Sequence, residues 1–400
     1  MESKPLKDLT VVDCSSLIAG PMAGMFMADF GAEVIKVEHP EVGDAARGFG
    51  REDQDLVWKW LGRNKQSVAI DLHEAEGQAL FVDLISDADI LIESFRPGTL
   101  EDWGIGWETL SAENPDLIMV RTTGFGQTGP YTDRPGFGTL AESMSGFAEV
   151  TGFPDKPPTL PSLGLADGIA ACFSTFAAMF AVYWRDVAGG TGQYIDTSLV
   201  EPLFGMMGRI TVDHAVNGNI PTRTGNRSDF TAPRNTYRTK DDKWVAMSAS
   251  AETIAKRILR TVGGEELATD PRFQSNEARV DRVDELDEII QDWIGERTRD
   301  EVVRLFNENE AAVAPVYNIE DIFNDSFFRE RDALVDVDDP EYDDLVLPGV
   351  FPHMSETPGD IEHAGPPLGE HTIDVLAAYT DADTETLREL DREAIVHIHD

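Results

Sequence analysis

PSLGLADGIAACFSTFAAMFAVYWRDVAGGTGQ, residues 161–193, is the stretch around which the chain is organised. Asp167 stands at the head of a long apolar helix that ends at Gly189-Gly190, and from Gly168 to Trp184 no residue carries a charge. That run falls short of the roughly 20 apolar residues a bilayer requires. It is rich in Ala, Gly and Ser, lacks a flanking basic cluster and lies in a strongly charged chain, so it reads as a buried helix at the centre of a soluble domain. An Asp in this position is commonly an N-cap, its carboxylate accepting an orphan backbone N–H. The same helix end, with unpaired N–H groups and partial positive charge, also suits a carboxylate kept ionised for nucleophilic attack. Position alone leaves both readings open.

Strand and helix alternate before this stretch. TVVDC (10–14) is a short strand, MAGMFMADFG (22–31) a helix closed by Gly31, and EVIKVE (33–38) an alternating strand. Further strands are expected at 67–71, 90–92, 117–121 and 194–198, with helices at 74–88, near 107–114 and at 199–217. This order implies a parallel sheet with helices on its faces. From 252 to 306 the pattern is mostly helical, with a strand at 313–317, which reads as a smaller α+β unit.

Composition narrows the function. The 74 acidic residues outnumber 33 basic ones, a net charge of -41 spread along the chain, and the basic residues are 24 Arg against 9 Lys. Such a surface suits a cytoplasm of concentrated salt, where self-repulsion is screened. It excludes nucleic acid and an anionic membrane as partners. Cys14 and Cys172 read as small core residues, without a disulfide framework or zinc cluster. The start, MESKPLKDLTVVD, has no apolar signal region, so a cytoplasmic enzyme is the default. No GxGxxG follows the first strand and no Gly-Lys dipeptide occurs, which argues against a nicotinamide dehydrogenase and a P-loop. No HExxH is present, and no metal site is expected. Six basic residues crowd into 223–243 (Arg223, Arg227, Arg234, Arg238, Lys240, Lys243), either balancing acidic neighbours or binding an anion.

Ten stretches, in order, resemble the class III CoA-transferase family, which includes formyl-CoA transferase and the carnitine CoA-transferase group. They are VVDCSSLIAGP (11–21), DFGAEVIKVE (29–38), GRNKQSVAIDL (62–72), ESFRPGTLEDWGIGWE (93–108), GFGQTGPYTDRPG (124–136), LADGIAA (165–171), TGQYIDTSLVE (191–201), GNRSDFTAPRNTY (225–237), DPRFQSNEARV (270–280) and LGEHT (368–372). The resemblance implies an α/β fold: a large Rossmann-like CoA-binding domain from both chain ends (1–222 and 330–400), a smaller inserted α+β domain (223–329), and an interlocked homodimer.

The resemblance also implies a site. Asp167 in LADG matches the family's nucleophile, which forms an aspartyl anhydride and then an aspartyl-CoA thioester. Backbone N–H groups of Gly124, Gly126 and Gly129 would steady the oxyanion. Coenzyme A, a substrate as its thioester rather than a bound cofactor, would lie on Ala19, Gly20, Pro21, Lys36, Asn64, Lys65, Phe95 and Arg96. Two positions depart from formyl-CoA transferase: Ile18 replaces a glutamine and His39 an arginine.

The family's 2-methylacyl-CoA racemases use a His within Gly-His-Asp, but here the sequence is Gly136-Phe137-Gly138, and Phe137 cannot accept a proton. An intramolecular transferase acting on a dicarboxylic acid mono-CoA ester would keep the Asp. A non-catalytic CoA-binding protein is the remaining alternative. Among halophilic members the chain is most like the succinyl-CoA:mesaconate CoA-transferase of haloarchaea. The expected donor is therefore succinyl-CoA and the acceptor a dicarboxylic acid such as mesaconate, its free carboxylate held by Arg47, Arg227 and Arg234.

Overall fold

The computed structural model describes residues 4–50 and 54–399. Its strands run β1 (Thr10–Asp13), β2 (Glu33–Glu38), β3 (Lys65–Ile70), β4 (Ile90–Glu93), β5 (Ile118–Thr123), β6 (Gln193–Ser198), β7 (Arg234–Arg238), β8 (Trp244–Ser248), β9 (Val313–Pro315), β10 (Leu334–Asp336), β11 (Val346–Pro348) and β12 (Val396–His397). Seven form one sheet in the order β12-β3-β2-β1-β4-β5-β6, in which only β12 is antiparallel. Successive side chains of a strand face opposite ways, so Val12, Ile35, Val68 and Leu91 build one core, and Val11, Val34, Ile90 and Ile118 the other. A parallel sheet covered on both faces follows. The expected strands are found within two residues at each end.

The chain forms two compact units. One holds residues 4–50, 54–147, 161–212 and 327–399; the other holds Ala148–Leu160 and Asp213–Ser326. The second therefore comprises two segments where the sequence suggested one, 223–329. Ala148–Leu160 belongs there because Gly225 N–H donates to Gly152 O at 2.8 Å and Arg223 pairs with Glu149 at 2.9 Å. Within this unit β7, β8 and β9 make an antiparallel sheet. Its helical core includes Ile258, Leu286, Ile290 and Phe306.

The helix Leu165–Asp186 differs from expectation. Only 33% of its apolar window is buried. Ala166, Ala170, Ala171, Ser174, Ala178 and Ala181 form the covered stripe, while Phe176, Phe180, Tyr183 and Trp184 are exposed. Small residues permit close approach, and the helix Ala19–Asp29 packs beside it. Hydropathy could not say which side was covered. Cys172 is exposed with the aromatic residues, whereas Cys14 is buried as expected. The helix expected at 199–217 breaks at Met207 into Val200–Met206 and Gly208–Asn217. In Glu252–Ala268, Gly263 and Gly264 leave helical geometry.

At the carboxyl end of β1 lies a buried charge cluster. Asp13 is opposite Lys36 in the β1–β2 register. Its carboxylate receives Lys65 Nζ at 2.9 Å, with Lys36 Nζ 3.8 Å away and Asp44 completing the set 2.9 Å from Lys36. Asp13 and Lys65 are 0% exposed and Lys36 1%. Burial alone would raise the Asp13 pKa, but the two ammonium charges and the Ser15 hydroxyl hold it below the ordinary value. Gly24 lets the helix Ala19–Asp29 rest on the pair, since a β-carbon there would lie 3.1 Å from Asp13 Oδ2 and 3.3 Å from Lys65 Nζ.

Removing one partner of a buried pair leaves the other charge uncompensated. Asp13→Asn is therefore expected to lower unfolding free energy by about 3–5 kcal/mol in urea titrations near neutral pH. Because the folded pKa is depressed, the contribution of Asp13 is present above the unfolded value, roughly pH 4. It is lost as pH falls through the folded value, so wild type and variant should converge in acid.

Candidate active site

Gly164 is the N-cap of the helix Leu165–Asp186, and Asp167 sits in the first turn. Asp167 is therefore not the N-cap residue, and the glycine that is has no side chain to cap with. The buried Glu142, from the helix Gly138–Met144, does so instead, its Oε1 accepting from Leu165 N at 3.1 Å and Ala166 N at 3.4 Å. This residue was missed. Its trace in the sequence is indirect: a helix opening on glycine needs its first donors satisfied from elsewhere.

The Asp167 carboxylate makes no hydrogen bond to another side chain among the described residues. A β-carbon at residue 138 would lie 2.0 Å from its Oδ2, and one at residue 164 would lie 3.0 Å away. Both glycines make room for the carboxylate. Burial raises its pKa above the ordinary value; its own backbone N–H pulls it back, and the Glu142 charge adds to the rise. The carboxylate is thus held without a counter-ion and with enhanced basicity.

The glycine loop after β5 reaches the same place. Gly126 and Gly129 have φ of 89° and 104°, values that favour glycine. A β-carbon on Gly124 would stand 2.4 Å from Gly136 Cα, two residues before Gly138. Although spaced as GxGxxG, the loop opens no helix: the next begins at Gly138. The structure therefore brings Gly124, Gly136, Gly138 and Asp167 together.

A cavity of about 170 Å³ opens at the carboxyl ends of β1 to β4, lined by Ser15, Ser16, His39, His73, Phe95 and Trp103 among others. Ligands of open α/β sheets occupy such crevices. Phe95 lies edge-on to Trp103 with centroids 5.2 Å apart. Arg96 beside it is exposed and makes no ion pair among the described residues.

The other residues expected to contact CoA have structural engagements. Lys36 lines the crevice with its ammonium paired to Asp44 and Asp13, and that of Lys65 is paired to Asp13. Asn64, in left-handed conformation, ties Asp29 to 360–363 through both ends of its amide. Ala19, Gly20 and Pro21 form a buried first turn, where a β-carbon on Gly20 would meet Ser15 Oγ at 2.1 Å.

The proposed diacid clamp is likewise spent in part. Arg47 pairs with Glu38 through Nε at 2.7 Å and Nη2 at 2.8 Å, and stacks on Trp58. Arg227 pairs with Asp284 at 2.6 Å and Asp287 at 2.7 Å. Arg234 donates to Arg227 O at 3.1 Å. Arg223 and Arg238 also face carboxylates. In the basic segment, balancing acidic neighbours thus accounts for Arg223, Arg227 and Arg238.

His39, Asp71 and His73 come together at the same crevice, which the sequence reading missed because they follow different strands. Asp71 accepts from the His73 ring at 2.8 Å, and His39 Nδ1 accepts Glu41 N–H at 3.2 Å. Burial raises the Asp71 pKa, but the His73 hydrogen bonds and both imidazoles hold it below the ordinary value. Asp71 and His73 are thus hydrogen-bonded, while His39 Nε2 lies 3.9 Å from Asp71 Oδ2.

The profile of CoA-transferase family III matches residues 6–372. The chain belongs to CoA-transferase family III. This transferase is 41% identical over 93% of its length to the succinyl-CoA–D-citramalate CoA-transferase of Chloroflexus aurantiacus, of which 93% is covered. It is 39% identical to the alpha subunit of the succinyl-CoA–L-malate CoA-transferase of Chloroflexus aurantiacus, over 99% of this chain and 93% of that one. The succinyl-CoA:mesaconate CoA-transferase of Haloarcula hispanica matches at 31%, over 93% and 95%. The expected likeness to the haloarchaeal mesaconate enzyme is thus found, beside relatives named for D-citramalate and L-malate. Among solved structures, a CAIB/BAIF family protein from Brucella suis superposes with a TM-score of 0.84 at 29% identity, covering 95% of this chain and 100% of that one.

The position of Asp167 carries a stability consequence. Its folded pKa exceeds the unfolded one, so the folded state holds its charge at a penalty above the folded pKa, and that penalty vanishes below about pH 4. Asp167→Asn is expected to melt at a higher temperature than the wild type at pH 7 in scanning calorimetry, with the difference closing in acid.

Proposed function

We propose that the transferase moves CoA from succinyl-CoA to a dicarboxylic acid through covalent intermediates on Asp167. The observation that carries this reading is the Asp167 carboxylate itself: half-buried, without a side-chain partner, made more basic, and seated against Gly138 beside the glycine loop. A carboxylate so held is available to attack a carbonyl carbon.

One carboxylate oxygen attacks the thioester carbonyl of succinyl-CoA, forming a mixed anhydride and expelling CoA thiolate. The thiolate attacks the Asp167 acyl carbon, releasing succinate and leaving an aspartyl-CoA thioester. The acceptor carboxylate attacks that carbon in turn, giving a second anhydride and freeing the thiolate. The thiolate finally takes the acceptor acyl group and restores the Asp167 carboxylate. Each step exchanges one activated acyl for another. Backbone N–H groups of Gly124 and Gly129 are the proposed stabilisers of the oxyanions; that of Gly126, also expected there, is held by Thr123 Oγ1 at 3.0 Å.

The crevice at the strand ends, with Phe95 and the unpaired Arg96, is the proposed CoA nucleotide site, where the guanidinium meets phosphate. A dicarboxylate acceptor is supported by the activities for which the relatives are named, with D-citramalate the first to test and mesaconate beside it. The exposed aromatic face of Leu165–Asp186 supports association with a second copy of the chain. The charge of -41 supports a requirement for molar salt; full activity in dilute buffer would contradict it.

Incubation with succinyl-CoA and hydroxylamine trapping, read by peptide mass spectrometry, should mark Asp167, and D-citramalate or mesaconate should discharge the label. Asp167→Asn should lose label and reduce kcat by on the order of 10⁴-fold. An equal label in the variant would reject the assignment. Since attack requires the ionised form, the acid limb of kcat/KM should lie above that of an ordinary carboxylate.

A further inference from the structure

A second cavity adjoins Asp167 and differs in chemistry from the crevice. It measures about 480 Å³ and is lined by residues flanking Asp167 on its helix (Gly164, Leu165, Gly168) together with Ile18, Met22, Val57, Trp60, Ile169, Cys172, Phe173 and others. No lining residue carries a charge. Ile18 is its link to the carboxylate: Ile18 Cδ1 and Asp167 Oδ2 lie 3.2 Å and 3.0 Å from the point where a β-carbon on residue 164 would sit. The glycine keeps both in reach of one small space.

Ile18 is firmly aimed. Leu17 before it takes a left-handed φ of 75°, uncommon for a side chain of this kind. Its N–H is held at 3.0 Å by the carboxylate of Asp44, itself buried and paired with Lys36. Strained backbone fixed by a buried ion pair is a mark of functional positioning.

We propose that this cavity receives the hydrocarbon part of the acyl group carried on Asp167, with Ile18, Trp60 and Phe173 as its specificity-determining walls. This rests on the reading of Asp167 as the acyl carrier. A carboxylate entering such a wall would lose its hydration without compensation, so the free carboxylate of a diacid points elsewhere and an apolar branch points in. The transferase thus favours acids with an alkyl branch near the reacting carboxyl over unbranched counterparts and over oxalate. A single methylene in an apolar pocket discriminates by roughly 10–200-fold.

The test compares pairs differing by one methyl, D-citramalate against D-malate and mesaconate against fumarate, with succinyl-CoA as donor. The kcat/KM ratio within a pair is unaffected by the fraction of enzyme that folds. Wild type is expected to favour the methylated member about tenfold or more. Ile18→Gln and Phe173→Ala should each bring the ratio close to one, and Phe173→Leu should move it less. A ratio near one in the wild type, or ratios unchanged in the variants, would overturn the cavity assignment while turnover and the Asp167 label persist. Loss of label and turnover with every acid would overturn the underlying reading of Asp167 instead.

Discussion

Asp13 on β1 is paired with two lysines, Lys36 on β2 and Lys65 on β3, and is closed off from solvent. Three strands thereby share one electrostatic knot at the end where a parallel sheet places its ligands. From that knot Asp44 extends to the Leu17 N–H, Ser15 presses on Gly20, and the helix Ala19–Asp29 settles on Gly24. Charge pairs in such a place add little net stability. Their effect is positional: they fix the turn that carries Ile18 to the head of the helix bearing Asp167.

The reacting carboxylate is treated in the opposite way. Asp13 is surrounded by cations and has its pKa lowered, while Asp167 has none beside it and has its pKa raised, with Glu142 adding repulsion. Two aspartates in one unit are driven apart by their environments, one made inert and one left reactive. Glu142 also holds the first donors of the Asp167 helix. A single residue therefore shapes both the placement and the basicity of the carboxylate.

Much of this was legible in the sequence. Short apolar runs located β1 to β6, because strands covered on both faces are apolar along their length. Asp167 and the glycines of 124–129 were found from motif order. The side-chain partners were not legible: Lys36, Lys65, Asn64 and Arg47 look like anion ligands in one dimension. In the fold, register sets Asp13 beside Lys36, while Arg47 meets Glu38. The same limit hid Glu142 and the trio of His39, Asp71 and His73, whose members come from separate elements. The covered side of Leu165–Asp186 was decided by residue size, a signal that mean hydropathy averages away.

The antiparallel strand β12 closes the β3 edge of the sheet, with Val396 paired to Ile70. During synthesis β3 leaves the ribosome more than three hundred residues ahead of the strand that covers it. Throughout that interval its backbone donors and acceptors stand open, next to a chain still lengthening. Strand edges of this kind invite pairing with other chains. The acidic surface, which keeps nascent copies apart, guards an edge that the protein's own segment reaches only late.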